Sequence, residues 1–292
     1  MKRSSKTTTP NSENGAAPSS KLASPLKWHG GKSYLAKKII ELMPKHGHYV
    51  EPFFGGGSVM FAKDPEGVSE VANDMNGDLM NFWKVLRLPK LFAAFVRQIE
   101  ATPFSEAEWK RSMARLNARE EGNQENRVRW ARDFFIAVRQ SRSGLMQDFA
   151  PLSRNRTRRG MNEQVSAWLT AVDGLPSVHQ RLKRVLLLDR PALQVIKSED
   201  GPKTLFYLDP PYPKKTRVAK EAYGNFEMTN ADHRKLLEVV RSVKGKVMLS
   251  SYASPMYDKA LSGWNRHDFD QPKHSGSGST KNRAIESVYC NF

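Results

Sequence analysis

The chain has 292 residues, 39% of them hydrophobic, and a formal net charge of +17. That is enough material for one large or two ordinary domains, and no run of roughly 18 apolar residues is present, which excludes a membrane-spanning helix. The first 24 residues carry +3 of the charge (Lys2, Arg3, Lys6 and Lys21 against Glu13), so +14 remains for the folded part; an excess of that size points to a polyanionic partner, with nucleic acid ahead of a membrane surface because no basic amphipathic helix stands out.

Residues 1–24 are rich in Ser, Thr, Asn and Lys and read as a disordered basic tail. Lys2 and Arg3 are followed by no apolar run, so the tail is not a signal peptide. "SYLAKKIIELMP" then places Leu35, Ile39, Ile40 and Met43 on one helical face and stops at Pro44. A short strand is expected at "HYVEPF", a glycine turn at "FGGGS", a helix through Val59, Met60 and Phe61, and a second strand ending in "EVANDMN". Strand, glycine turn, helix and strand in alternation predict an α/β fold with a parallel sheet.

The middle of the chain changes character. "FSEAEWKRSMARL" opens with a capping box, Ser105 and Glu108, and "NRVRWARDFFIAV" predicts a helix with Trp130, Phe134 and Val138 inward. Between Arg139 and Arg159 come six arginines and one acid, Asp148, in a stretch broken by Gly144, Pro151 and Gly160. This reads as a mostly helical insertion, 83–185, with a basic, irregular face. Strand–helix alternation resumes with "RVLLLD", "TLFYLD", a helix at "DHRKLLEVVRSVKG", a strand at "KVMLSSY" and a last strand at "SVYCNF". The expected division is therefore a tail at 1–24, an α/β domain built from 25–82 and 186–292, and the insertion between its halves.

Parallel sheets bind ligands at the carboxyl ends of their strands, and three candidate sites fall there. Gly55 and Gly57 in "EPFFGGGS" lack a Cβ, so a ligand can approach the backbone, although a tight turn asks for the same residues. Asp74 ends "VAND", where its carboxylate could accept from ribose hydroxyls or cap a helix. The glycines match no phosphate loop: Met60 stands where the dinucleotide fingerprint needs a third glycine, and Leu26 where a Walker A loop needs its first. A nucleoside without a polyphosphate is the expected ligand. The third site is "DPPY". Pro210 and Pro211 stiffen the backbone after Asp209, so that a carboxylate oxygen and a backbone carbonyl form a rigid pair of acceptors suited to an NH₂ group, and Tyr212 offers a face for an extruded base; a stiff turn is the plain alternative.

"LKWHGGK", "EPFFGGGS", "VANDMN" and "DPPY", in this order with a basic insertion before the last, resemble the Dam-like DNA adenine-N6 methyltransferases. The resemblance runs from Pro25 to Phe292. It implies a Rossmann-like sheet, S-adenosylmethionine as cofactor, and a target-recognition insertion. By motif, Trp28, Lys32 and Phe53 line the cofactor site with Lys32 near the cofactor carboxylate. Gly55 and Gly57 admit the methionine, Asp74 holds the ribose, and Asp209 lies between cofactor and target amine, with Pro210 supplying the carbonyl and Tyr212 the stacking surface. The chain departs from the pattern at "DRPALQVI", where many relatives carry an acid, so the contact to the cofactor adenine stays open between Asp189 and a replacement by Pro191. The stretch "RSGLMQDFAPLSRNRTRRG" matches the family's GATC-reading segment only loosely, so the target sequence is not transferable.

The implied reaction is direct methyl transfer to the adenine amine of double-stranded DNA, with no covalent enzyme intermediate. Cys290 is then no nucleophile; as the single cysteine it fits a reducing cytoplasm. No His/Cys/Asp cluster has metal-ligand spacing, and His29, His46 and His48 read as solvated loop residues. Candidate DNA contacts are Arg142, Arg154, Arg156, Arg158 and Arg159 in the insertion, and Lys214, Lys215 and Arg217 after "DPPYP". The alternatives are cytosine-N4 methylation, disfavoured by an acid rather than a serine before "PPY"; a non-catalytic DNA-binding relative; and an RNA methyltransferase. A restriction partner, a mobile-element role and a housekeeping role remain equally open.

Overall fold

The computed structural model describes residues 22–118, 126–150, 155–217, 223–272 and 283–292. Helix α1 (Ala36–Glu41) leads into β1 (His48–Glu51), α2 (Ser58–Ala62) and β2 (Ser69–Asn73). A helical run follows: α3 (Gly77–Arg87), α4 (Pro89–Glu100), α5 (Glu106–Asn117) and α6 (Arg127–Arg139). A two-stranded ribbon, β3 (Thr157–Arg158) with β4 (Met161–Asn162), precedes α7 (Glu163–Asp173) and α8 (Leu175–Leu182). The sheet is then completed by β5 (Val185–Leu188), α9 (Ala192–Ser198), β6 (Thr204–Leu208), α10 (Asn230–Ser242), β7 (Lys246–Tyr252), α11 (Pro255–Ala260), β8 (Asn265–Pro272) and β9 (Arg283–Cys290).

The seven strands lie in the order β5-β2-β1-β6-β7-β9-β8. The first five are parallel, and β9 joins β7 antiparallel with β8 antiparallel beyond it. The fold is thus the α/β, Rossmann-like sheet expected. All five residues of β6 are buried, and the period of two sends Leu205 and Tyr207 into one core while Phe206 and Leu208 enter the other. The first core takes in α1, α2, α3 and the helical run, centred on Trp83; the second is covered by α9, α10 and α11. Truncating a fully buried aromatic such as Trp83 would cost about 3–5 kcal/mol.

An ion-pair network ties the helical run to the sheet. Glu70 of β2 accepts from Arg181 of α8 at 2.8 Å and from Lys63 after α2 at 3.2 Å, all three side chains being buried. Removing one member of such a pair costs about 3–5 kcal/mol, because it strands a buried charge. The division expected at residue 83 falls inside α3, whose buried face, Leu79 to Leu86, packs in one continuous core with both neighbouring segments.

Other differences are local. β8 escaped the sequence reading because "NRHDFDQP" has three charged residues in eight and lies at the sheet edge, where one side of the strand meets no core. Ser105 accepts from the Glu108 N–H at 3.4 Å, whereas the reciprocal capping box forms at Thr229 and Asp232 at the start of α10. Trp130 is only half-buried, while Phe134 and Val138 are inward as expected. Among the described residues no helix is long and apolar enough to cross a membrane. Most of the tail lies outside the described residues.

Candidate active site

The chain lays β2 and β5 on one side of β1, then crosses over to lay β6 and β7 on the other. The carboxyl ends of β1 and β6 therefore flank the point where strand order reverses, which is where open α/β sheets form a crevice. A cavity of about 680 Å³ opens there, within the ~300–1,000 Å³ common for small-molecule sites. Trp28, Lys32, Phe53, Gly55, Gly57, Asp74 and Asp209 all contribute to its wall, so residues 181 positions apart in sequence meet at one site.

The glycine turn has a local cause. Gly55 and Gly57 have φ of 50° and 68°, the left-handed region where a side chain is strained. A Cβ on Gly55 would also lie 2.7 Å from Trp28 Nε1, and one on Gly57 2.5 Å from the Phe54 ring. The space that these glycines leave is thus filled by the protein's own aromatics, with Trp28 laid across the turn as part of the cavity wall. Trp28 is half-buried and reaches Phe134 of α6, with ring centroids 6.3 Å apart. Residues 144–147, between α6 and β3, complete that wall; a Cβ on Gly144 would fall 1.6 Å from the Lys27 carbonyl oxygen, so backbone sits directly on backbone there.

Asp74 caps a loop rather than a helix. Its Oδ2 accepts from the Gly55 N–H at 2.9 Å and its Oδ1 from the Asn76 N–H at 3.0 Å, while Asn76 is the residue that caps α3. A carboxylate has about four acceptor sites, so capacity remains for two hydroxyls. Burial outweighs the backbone N–H groups of Asn76, Gly55 and Met75 and raises its pKa.

Asp209 and Lys32 form a close ion pair at the cavity. Lys32 Nζ lies 2.6 Å from Asp209 Oδ2, 2.8 Å from the Gly30 carbonyl oxygen and 3.3 Å from Glu286 Oε1. Three donors thus meet three oxygens. Burial opposes the charge on Lys32, but Asp209 and Glu286 hold its pKa well above the ordinary lysine range. Lys32, expected near the cofactor carboxylate, borders the cavity with its ammonium directed to these three protein oxygens. Asp209 Oδ1 accepts no hydrogen bond. Burial pushes the Asp209 pKa up to about 6 against the pull of Lys32.

Two further expectations for "DPPY" change. Pro211 contributes to the cavity wall, whereas Pro210 and Tyr212 do not. Tyr212 is 5% exposed; Lys32 Nζ stands 4.9 Å from its ring centroid, Tyr252 packs edge-on at 4.8 Å, and its hydroxyl donates to Glu286 Oε1. The Lys32 ammonium therefore stands over one face of its ring. Tyr223 and Phe226 are among the aromatic residues that do line the cavity, the latter 42% exposed.

Among the basic candidates, Arg142, Arg156, Arg158, Lys214 and Lys215 are exposed. Arg159 is exposed as well but is drawn to α7, donating to Thr170 Oγ1 at 3.2 Å, with Asp173 at 3.9 Å. Arg217 is not on the open face: its side chain is 7% exposed, pairs with Glu227 at 2.5 Å and lies over the Tyr223 ring. Arg154 lies outside the described residues. Asp189 pairs with Lys84 at 2.6 Å, which holds its carboxyl below the usual range, and stands outside the wall. Pro191, Ala192 and Leu193 take its place there, so the cavity is apolar on that side.

Two buried acids went unread in the sequence. Glu51, 2% exposed at the end of β1, belongs to the wall and accepts from the Tyr49 hydroxyl at 2.7 Å. Burial pushes its pKa up to about 8. Its signal was visible as the first letter of "EPFFGGGS", an acid at a strand end. Glu286 carried no such signal, since it sits within a strand that otherwise reads as sheet filler. Cys290 is buried, burial raising its thiol to about 12, as suits a residue without a chemical role. No group of three or more metal-ligating side chains occurs among the described residues.

The family model for D12 class N6 adenine-specific DNA methyltransferases matches residues 28–273. A Type II methyltransferase of Lactococcus lactis subsp. cremoris is 25% identical over 285 residues, covering 91% of this chain and 94% of that protein. A Type II methyltransferase of Methanocaldococcus jannaschii is 25% identical over 265 residues, 82% of this chain and 88% of its own. A DNA adenine methylase of Vibrio cholerae is 42% identical over 62 residues, 21% and 22% of the two chains.

Proposed function

The chain belongs to the D12 class of N6 adenine-specific DNA methyltransferases, and from that premise we propose how its own residues carry out the transfer. The methyl donor is S-adenosylmethionine, held in the cavity at the strand-order reversal, and the substrate is an adenine extruded from double-stranded DNA. When bound, the cofactor would supply a sulfonium methyl group for direct transfer, the S–CH₃ bond breaking as the amine N–CH₃ bond forms, so that a neutral thioether leaves and the methylated amine gives up one proton.

The observation that carries this reading is the state of Asp209: it borders the cavity, its Oδ2 is fixed by Lys32, and its Oδ1 has no donor. A buried acceptor without a partner costs about 1–3 kcal/mol, so the site favours a ligand that brings an N–H. Asp209 accepts from the target amine and orients its lone pair, while the proline-stiffened backbone keeps this acceptor from relaxing; a fixed dipole of this kind needs no reorganisation as charge develops. Asp74 offers its remaining acceptor sites to the ribose hydroxyls. Glu51 faces the ammonium of the methionine portion, and Phe53 with residues 191–193 gives apolar surface to the cofactor adenine. Phe226 gives the extruded base its aromatic wall in place of Tyr212.

The helical segment 83–185 is proposed as the target-recognition part, because residues 145–147 reach the cavity and its exposed Arg142, Arg156 and Arg158 lie on the same stretch of chain. The test is transfer of a labelled methyl group from S-adenosylmethionine to unmethylated genomic DNA, with the modified base identified after digestion. N6-methyladenine in the wild type, and a rate of its formation lower by about 10²-fold or more with Asp209→Asn, is the result expected. N4-methylcytosine would overturn it.

A further inference from the structure

Glu286 stands on β9, 77 positions after Asp209, yet it is 2% exposed and serves three groups of the site. Its Oε1 accepts from the Tyr212 hydroxyl and lies 3.3 Å from Lys32 Nζ, and its Oε2 accepts from the Tyr34 hydroxyl at 2.5 Å. Two anions therefore share one ammonium. With a single carboxylate the Lys32–Asp209 pair would be neutral, and Asp209 would be a weak acceptor. The second carboxylate leaves the cluster with a net negative charge, in surroundings too buried for water to screen it.

We infer that Glu286 is a positioning residue for methyl transfer: by drawing on the Lys32 ammonium and anchoring the Tyr212 hydroxyl, it keeps Asp209 an effective acceptor for the target amine. This rests on the assignment of Asp209 to the reacting amine. The titratable groups around Glu286 are Lys32 and Tyr34 from the segment before α1, Tyr207, Asp209 and Tyr212 from β6 and its exit, and Tyr252, its ladder partner on β7; on β8 it faces Phe269. Lys32 and the two hydroxyls outweigh burial and keep Glu286 ionised below the ordinary glutamate range, and its charge in turn raises Asp209.

The experiment compares full-length wild type, Glu286→Gln, Glu286→Ala, Glu286→Asp and Asp209→Asn in steady-state transfer from labelled S-adenosylmethionine to unmethylated genomic DNA, with thermal melting as the check on folding. Glu286→Gln keeps the shape but loses the charge and turns one of the two accepting oxygens into an amide donor. It should lose about tenfold or more in kcat with both KM values within about twofold, and the acid limb of its kcat–pH profile should move to lower pH, because a neighbouring anion has gone. A role in packing alone predicts the opposite ranking, Gln near wild type and Ala impaired, and that result overturns the inference. Should Gln fail to fold, Glu286→Asp decides: its shorter side chain withdraws the carboxylate from Lys32 and Tyr212, so wild-type kcat in a folded Asp variant refutes the role as well. Activity in Asp209→Asn would instead remove the assignment beneath it, a different outcome from an inactive Asp209→Asn beside a fully active Glu286→Gln.

Discussion

Binding of the cofactor to the enzyme without DNA should release a proton from Glu51. Its carboxyl is pushed by burial from an ordinary value of 4.5 to about 8, so at pH 7 about nine molecules in ten carry the proton. An ammonium placed beside it favours the anion and brings the pKa back toward the ordinary value, so binding at pH 7 releases about 0.9 proton and at pH 9 about 0.1. Asp209, at about 6, is already nine-tenths ionised at pH 7 and can add only about a tenth, and burial keeps His29 in the wall neutral. The assay is titration calorimetry with S-adenosylmethionine in buffers of different ionisation enthalpy, repeated with Glu51→Gln. Release that persists in Glu51→Gln, or no release in the wild type at pH 7, refutes the reasoning. The same shift acts on stability. A carboxyl whose folded pKa lies above its unfolded value contributes stability that is complete below pH 4.5 and lost as pH rises through 8, on the order of 5 kcal/mol at most at 1.36 kcal/mol per unit. Urea melts of the ligand-free protein should therefore show Glu51→Gln gaining on the wild type as pH rises from 4.5 to about 8, and no further gain above that.

Asp209→Asn should fold and lose about 10²–10³ in kcat, the usual loss for one preorganised group at the reacting atom; more than a tenth of wild-type turnover would remove Asp209 from the mechanism. The wild-type kcat should itself fall on acidification through about pH 6, where Asp209 takes up a proton. Asp74→Ala should weaken cofactor binding by about 1.5–3 kcal/mol, and calorimetry showing unchanged affinity would leave Asp74 only its loop-capping bonds to Gly55 and Asn76. Gly55→Ala should lower the melting temperature and red-shift tryptophan fluorescence, because the new Cβ meets Trp28 Nε1 at 2.7 Å in a strained backbone; an unshifted spectrum would mean that the turn adapts. Arg156→Ala and Arg158→Ala should each lower the salt slope of DNA binding by roughly 0.9 if each meets a phosphate, and two unchanged slopes would move the DNA-reading surface toward Lys214 and Lys215.

Local sequence was enough to determine the α/β class and the strand ends that the cavity gathers. Alternating apolar runs set the strands, and a strand end followed by glycines, by Asp74 or by two prolines marks itself within a few residues, because strand geometry and turn chemistry are local properties. The partners of those residues are not. Lys32 and Asp209 are 177 positions apart, and Tyr34 and Glu286 are 252 apart. They meet only because β6 lies beside β1 and β9 folds back against β7. The same fold buried Tyr212 under Lys32 and left Asp189 outside the cavity, while Arg217 turned onto Glu227 within a single connection. A motif gives the identity of a side chain but not the charge or ring that the fold places beside it. The charge on a buried carboxylate depends on burial and on neighbours within a few ångströms, and both are fixed by the order in which strands pair.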